Sequence, residues 1–540
     1  MSNEETLKSI LIEAMKAYGL SLTPSDVVLE RSKDPAHGDY ATNLALRYGK
    51  SLGFIPRNFA LELAGRISDP TIDKIEVAGP GFINFFLHAD AMTGVLSEVF
   101  RLGDDYGRQV KKGVKVNLEF FSANPTGDIH LGHTRIGAFG DSLAEILIWD
   151  GYDVTREYYV NDCGNQVEHL GNSLRARYHE LYGEPLVLGD DDYHGVDLID
   201  IAKQVREEFG DKYLVDNQES HDFFIRYGID AELKKIKNEL DNFRIHFDRF
   251  SYESEIRKKY DLGKVIEGLK KYTYQKDGAT YLRTSAFLDD KDRPIVKSNG
   301  QYTYFMPDIA YHYDKMARGY DLLIDVLGAD HHGYINRMKS ALAMKGYDPS
   351  RLEVDLIQMV KTYRDGVEVK MSKRTGKAIS HHELVEEVGV DAVRYLFVER
   401  SPSTHLDFDY NLALEQSSSN PVYYAQYAHA RCCSLLTLGQ DIGIDGDGAL
   451  LSNDYETAIL KHIADFGNAI EGAARERAPY RLCAYIHKLA ELVHEFYAHN
   501  RVIDRDNLPL TRSRLSLVKA AKITLHNALG ILGVSSPEKM

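Results

Sequence analysis

The sequence predicts an α/β protein: a doubly wound parallel sheet in the middle, an α+β domain before it and an all-α helical bundle after it. Three observations carry this. Strand, helix and strand patterns follow one another within 114–160, helical spacing dominates beyond about 405, and a polar, glycine-punctuated linker at 103–113 closes a first mixed segment. With 540 residues, the chain has room for roughly three to four cores at the usual domain size.

Taken in order, residues 1–108 alternate helix-like and strand-like patterns and form the first domain. VKVNLEFF (114–121) has the β-branched and aromatic content of a strand. GHTRIGAFGDSLAEILIWDG then places Ile136, Phe139, Leu143, Ile146 and Leu147 at helical spacing and stops at Gly151. YDVTREYYV (152–160) is the next strand, which completes the pattern of a right-handed parallel crossover. About 175–265 the chain is rich in Glu, Lys, Asp and Tyr, and ELKKIKNELDNF predicts a mostly helical insertion. The apolar runs DLLIDVLGA (321–329) and VDLIQMV (354–360) suit buried parallel strands, and TYRDGVEV suits a hairpin. The middle domain is therefore 109–405. Residues 406–540 contain PVYYAQYAHARCCSLL and RLCAYIHKLAELVHEFYAHN, whose apolar spacing predicts the bundle.

Hydrophobic residues at 44% and charged residues at 27% are typical of globular proteins and exclude a disordered or collagenous chain. The 65 Lys and Arg face 81 Asp and Glu, a net charge of −16. Such a molecule repels polyanions as a whole, so a nucleic-acid partner requires a local basic surface. Four cysteines, Cys163, Cys432, Cys433 and Cys483, lack the spacing of a disulfide framework or a zinc site. The acidic start MSNEETLKSI and the absence of a long apolar run predict a cytoplasmic protein without a membrane span.

The most informative segment, from Glu119 to His133, lies between the first core strand and its helix. In an open α/β sheet that position receives ligands, and the helix N-terminus offers N–H groups and partial positive charge to a phosphate. His130 and His133 are three apart and can donate to the same bound group, while Gly132 leaves room for a base or sugar. Two histidines at this spacing also serve as helix caps, surface residues or metal ligands. A metal needs further ligands, and no second motif with ligand spacing is present. A second segment, Lys370, Met371, Ser372, Lys373, Arg374, Thr375, Gly376 and Lys377, is a basic glycine-containing loop of the kind that covers a triphosphate. By itself it equally suits a solvated basic loop.

HLGH at 130–133 together with KMSK at 370–373 resembles the class I aminoacyl-tRNA synthetases. Within that class the chain resembles the arginyl-tRNA synthetases over nearly its full length. GPGFINFFL (79–87), REYYVNDCGNQ (156–166), YTYFMPDIAYHYDKM (302–316), NPVYYAQYAHAR (420–431) and the final GILGVSSPEKM carry the likeness. The resemblance implies a Rossmann-like catalytic core, an N-terminal domain that contacts tRNA and a helical domain that binds the anticodon stem and loop. It implies ATP, L-arginine and the tRNA for arginine as substrates, Mg²⁺ accompanying ATP, no structural zinc and a monomer.

A guanidinium is a fork of donors best met by carboxylates, so the amino-acid pocket must be acidic. The resemblance places Glu253, Tyr304 and Asp308 around the guanidinium, and Glu119, Ser122, Asn124, His133 and His332 elsewhere on the amino acid. His332 falls where some members carry Gln, and Asp308 also suits a helix cap. ATP is assigned to His130, Gly132, His133, Asp330, His331, Lys370, Met371, Ser372 and Lys373, with His130, His133, Lys370 and Lys373 acting on the phosphates. Ser380 and Glu383 form the pattern of a capping box. Tyr423, Tyr424 and Tyr427 share a helix face that suits a core, yet Tyr427 and Arg431, four apart, are the candidates for RNA contact. Two other readings fit HLGH: a nucleotidyl transferase acting on a different small molecule, and a tRNA-binding relative without catalysis. The first leaves the helical domain without a task, and the intact lysine loop argues against the second.

Overall fold

The computed structural model describes residues 3–24, 26–31, 37–87, 89–127, 129–189, 192–193, 195, 197–371, 379–444, 446 and 448–540. At the N-terminal end, four antiparallel strands stand in the order Leu29–Arg31, Tyr40–Thr42, Phe82–Leu87, Ile72–Ala78. Helix Asn3–Lys16 places Leu7, Leu11 and Met15 on one stripe, and they share a core with Phe59, Leu63, Ile83 and Phe85.

The central sheet has five parallel strands in the spatial order Leu352–Ile357, Leu322–Gly328, Lys115–Glu119, Asp153–Val160, Arg249–Tyr252. The winding reverses between Lys115–Glu119 and Leu322–Gly328, as in a doubly wound sheet, and such a reversal opens a crevice at the strands' carboxyl ends. Helix Leu131–Trp149 makes the crossover and is buried along most of its length.

Three details differ from the sequence expectation. The stretch 175–265 is not wholly helical. After helices Asp197–Phe209 and Gln218–Asn242, the strand Arg249–Tyr252 forms the edge of the central sheet. Four residues without apolar alternation give no periodic signal. The run 354–360 is also divided, because Leu352–Ile357 ends the central sheet and Val360–Arg364 begins another. There it pairs antiparallel with Val367–Glu368 and parallel with Leu406–Asp409. The expected hairpin is present, and its turn residues Asp365 and Gly366 take φ of 52° and 75°. Finally, 406–540 opens on the short strand Leu406–Asp409 before its helices begin.

Helices Pro421–Leu438, Asp454–Ala464, Phe466–Arg475, Pro479–His499 and Leu508–Ile531 form the bundle, whose core is continuous with that of the parallel sheet. Two buried arginines join segments distant in sequence, and the second reaches the end of the bundle. Arg135 donates to the carbonyls of Gln358, Thr404 and Ser401. Arg394 donates to the carbonyls of Leu532 and Phe243 and to the Asp141 carboxylate at 2.5 Å. Near the C-terminus, Asp391 accepts from Arg244, Gln426 and the Ser535 N–H.

Candidate active site

At the sheet's reversal, three buried carboxylates stand in register on adjacent strands: Asp325 beside Glu119, and Glu119 beside Glu157. Helix Phe305–Ala317 lays its cations on them. The fully buried Lys315 Nζ donates to Glu119 and, at 2.7 Å, to Asp325. Arg318, just past the helix, forks onto Glu157 at 2.7 and 2.9 Å, and Tyr311 donates to the same carboxylate. Burial works against the Lys315 charge, but Asp325, Glu119 and Glu157 outweigh it and hold its pKa above the usual value. His312 faces the Asp308 carbonyl at Nδ1 and Asp325 at Nε2, both at 2.8 Å. These bonds fix the helix that carries Asp308.

Asp308 does not cap its helix: the N-cap is Tyr304, without a side-chain cap bond. Burial pushes the Asp308 carboxyl up to about 7, with Glu253, Glu119 and Asp325 adding to the shift and His312 opposing it. Glu253, the buried first residue of helix Glu253–Lys259, accepts from Arg257 Nε at 2.7 Å. Glu119 and Glu253 thus stand within electrostatic reach of Asp308 and form one acidic wall with it, whereas Tyr304 is 78% exposed. One residue of this wall was not singled out from sequence. The Tyr159 hydroxyl is buried beside Glu253, and burial together with Glu253, Asp308 and Glu119 drives its pKa far up. Both faces of its strand are covered, so alternation along REYYV marks no inward side.

After Glu119 the backbone turns through Phe121 and Ser122, both at positive φ (70° and 38°). Positive φ is unfavourable for such residues and persists when neighbours over-determine it. Here Ser122 Oγ donates to Glu119 Oε1 and accepts from the Tyr159 N–H, each at 3.0 Å. The Asn124 amide donates to Gln166 at 3.0 Å.

His130 is the N-cap of helix Leu131–Trp149. Its Nδ1 accepts from the Gly132 and His133 N–H groups at 3.1 and 3.3 Å, which leaves Nε2 as the donor. Gly132 is required by this ring: a Cβ there would lie 2.9 Å from His130 Cε1. The His133 ring stacks on it, with its Nδ1 buried and unpartnered. Burial, then the neighbouring His130, lowers the His133 pKa to about 3. Burial also lowers His130, opposed by the Asp330 carboxylate, which brings the turn Ala329–His331 within electrostatic reach of the pair. His331 and His332 are exposed on or just after that turn.

Lys370 and Met371 are exposed at the end of the hairpin, with Lys370 Nζ 3.9 Å from Glu368. Ser372, Lys373 and the rest of 372–378 lie outside the described residues. The chain is described again from Ile379, and Ser380 forms a bridge with His130 while capping helix His381–Val388 in the expected box. Among the described residues no group of three or more His, Cys, Asp or Glu side chains is placed to hold a metal, and no helix is long and apolar enough to cross a membrane. On the bundle, Arg431 lies over the rings of Tyr427 and Tyr497 at 4.7 and 4.4 Å from their centroids. Both rings are exposed, whereas Tyr423 and Tyr424 are half-buried. Tyr497 had no sequence signal beyond helical spacing.

A doubly wound parallel sheet with paired histidines at its reversal, bridged to Ser380, defines a class I aminoacyl-tRNA synthetase core. Residues 95–433 match the family model for the class I (R) tRNA synthetase catalytic domain, residues 5–87 the arginyl tRNA synthetase N terminal domain, and residues 425–540 the DALR anticodon binding domain. The chain belongs to the arginyl-tRNA synthetase family. It is 50% identical to the arginine–tRNA ligase of Shouchella clausii over 95% of this chain and 94% of that one. It is 46% identical to that of Bacillus subtilis over the whole of both. The solved arginyl-tRNA synthetase of Thermus thermophilus superposes over the whole of both chains with a TM-score of 0.78 at 23% identity, a likeness of fold.

Proposed function

We infer that the protein is an arginine–tRNA ligase: it activates L-arginine with ATP and transfers it to the 3′-terminal ribose of its tRNA. The observation that carries this is the acidic pocket of Glu119, Glu253 and Asp308 beside the neutral His130 and His133 pair. A guanidinium satisfies carboxylates that otherwise crowd one another, and neutral imidazoles donate to phosphate without fixed charge.

In this reading an arginine carboxylate oxygen attacks the α-phosphorus of ATP, the bond to the bridging oxygen breaks, and pyrophosphate leaves with the electron pair. The 2′-hydroxyl of the terminal ribose, the position that class membership implies, then attacks the adenylate carbonyl carbon and AMP departs. His130, His133, Lys370 and Lys373 meet charge that grows on the phosphates. Gly132, Asp330, His331, Met371 and Ser372 complete the nucleotide site, and Mg²⁺ enters with ATP as part of the substrate. Glu119, Ser122, Asn124, His133 and His332 hold the amino-acid backbone, while Glu253, Asp308 and Tyr304 hold the guanidinium. Tyr159 adds a hydroxyl to that wall.

Residues 1–108 contact tRNA, 109–405 catalyse, and 406–540 read the anticodon arm, with Tyr427, Arg431 and Tyr497 stacking on unpaired bases. We place the protein in the cytoplasm as a monomer. The test is ATP–pyrophosphate exchange with each amino acid, with and without total tRNA. Exchange with arginine alone, dependent on tRNA as the family implies, is the expected result. Exchange with another amino acid overturns the substrate, and tRNA binding without exchange favours the non-catalytic reading.

A further inference from the structure

The histidine-bearing segment and the start of helix His381–Val388 are distant in sequence and meet at one place. There the His381 N–H donates to the Ile129 carbonyl at 2.8 Å, beside the bridge between His130 and Ser380. Thr134, the residue after His133, is fully buried, and its Oγ1 lies 3.0 Å from His381 Nδ1. Its N–H donates to the His130 carbonyl at 3.2 Å, so the contact reaches the capping histidine through one residue.

The His381 ring is buried, edge-on to the fully buried Phe243 at 4.7 Å and 86°, and its rotamer is thereby fixed. A buried imidazole carries a desolvation cost that leucine in the same space would not. Among the described residues, the ring's one hydrogen bond that offsets this cost is to Thr134. Neither residue belongs to HLGH or KMSK, and neither faces the acidic pocket.

We propose that Thr134 and His381 are positioning residues for the nucleotide: their contact sets the spacing between the His130 and His133 rings and the start of helix His381–Val388. They control ATP affinity without touching ATP. This rests on the reading of HLGH and KMSK as the two sides of an ATP site, and it adds a clamp between them.

The test compares the protein with T134V, H381L, the double variant, and the conservative T134S and H381N. ATP binding is measured by equilibrium dialysis, and KM for ATP and for arginine by pyrophosphate exchange with tRNA present. T134V and H381L each weaken ATP binding roughly five- to tenfold, the effect of one lost buried hydrogen bond, while the arginine KM stays where it was. T134S and H381N restore ATP binding, because a hydroxyl and an amide nitrogen or oxygen near Nδ1 remake the contact. The double variant is no worse than the weaker single one, as expected for two partners of one bond.

Unchanged ATP affinity in both T134V and H381L overturns the proposal. So do additive effects, or equal losses in ATP and arginine that follow a lowered thermal midpoint. T134V preserves volume, so a failure of H381L to fold leaves the test intact. If the unaltered protein binds ATP but exchanges with no amino acid, the ligase reading fails while dialysis still decides the clamp.

Discussion

His130 and His133 stack face to face, with ring centroids 3.7 Å apart and planes 22° from parallel. His130 Nδ1 is occupied by the helix N–H groups, whereas His133 Nδ1 has no partner. Two stacked imidazoles disfavour simultaneous charge, which together with burial keeps the pair neutral.

This pairing has a cost at low pH. Burial lowers the pKa of His133 to about 3 and of His381 to about 4, against about 6.5 in the unfolded chain. Below the unfolded value the unfolded chain binds more protons, so stability falls as pH drops from about 6.5 toward these lower values. Above that window the rings contribute no slope. Thermal midpoints at about pH 7.5 and 4.5 should converge in an H133N/H381N variant relative to the unaltered protein. An identical acid loss in both would sink the assignment.

Replacing His133 by Asn removes the imidazole donor while keeping a small polar side chain. Lost contact with developing phosphate charge lowers the exchange kcat roughly 10²- to 10³-fold. Steady-state exchange measures this, and the arginine KM should rise as well, because His133 also meets the amino-acid backbone. Loss of exchange in K373A checks the lysine side of the site in the same assay.

The Asp308 carboxyl, pushed up to about 7 by burial, is partly protonated at neutral pH in the empty pocket. A guanidinium requires the ionised form, so arginine binding releases protons, and KM for arginine falls as pH rises through about 7 before levelling. In D308N the profile becomes flat and binding weakens roughly 30- to 1,000-fold, the range for loss of one buried charged partner. Calorimetry in buffers of different ionisation enthalpy counts the protons directly.

Arg394 carries a buried charge paired with Asp141 and bonded to two distant carbonyls. Removing one partner of such a pair costs about 3–5 kcal/mol, so D141N and R394M should each lower the denaturation midpoint. The double variant should lose less than the sum. Strict additivity in a double-mutant cycle would show that the pair does not act as a unit.

The local grammar of the site was legible in the sequence. VKVNLEFF, the apolar spacing from Ile136 to Leu147 and the TYRDGVEV turn each declare their element through neighbouring residues. HLGH together with KMSK carried the resemblance to the synthetases, and the domain matches and relatives show the same family. What the sequence hid is non-local. Asp325 sits in the middle of an apolar run, and only register places it beside Glu119 and under Lys315. Arg249–Tyr252 is an edge strand with no periodic text, and Tyr159 looks like one more aromatic until the carboxylates around it are in place. Gly132 was expected to make room for a ligand, but its missing Cβ is first required by the His130 ring.

The bonds that Asp391 makes with Ser535, and Arg394 with the Leu532 carbonyl, join residues that are more than a hundred positions apart in the chain. Domains fold as they emerge, N-terminal parts first. A growing chain can therefore shape its sheet, its crevice and most of its bundle while these two polar side chains still lack their C-terminal partners. Until then Asp391 keeps Arg244 and Gln426, and Arg394 keeps Asp141 and the Phe243 carbonyl. This part of the fastening of bundle to sheet therefore forms only after Leu532 and Ser535 have been made, and a chain stopped short of Leu532 would hold its bundle to the sheet with fewer bonds.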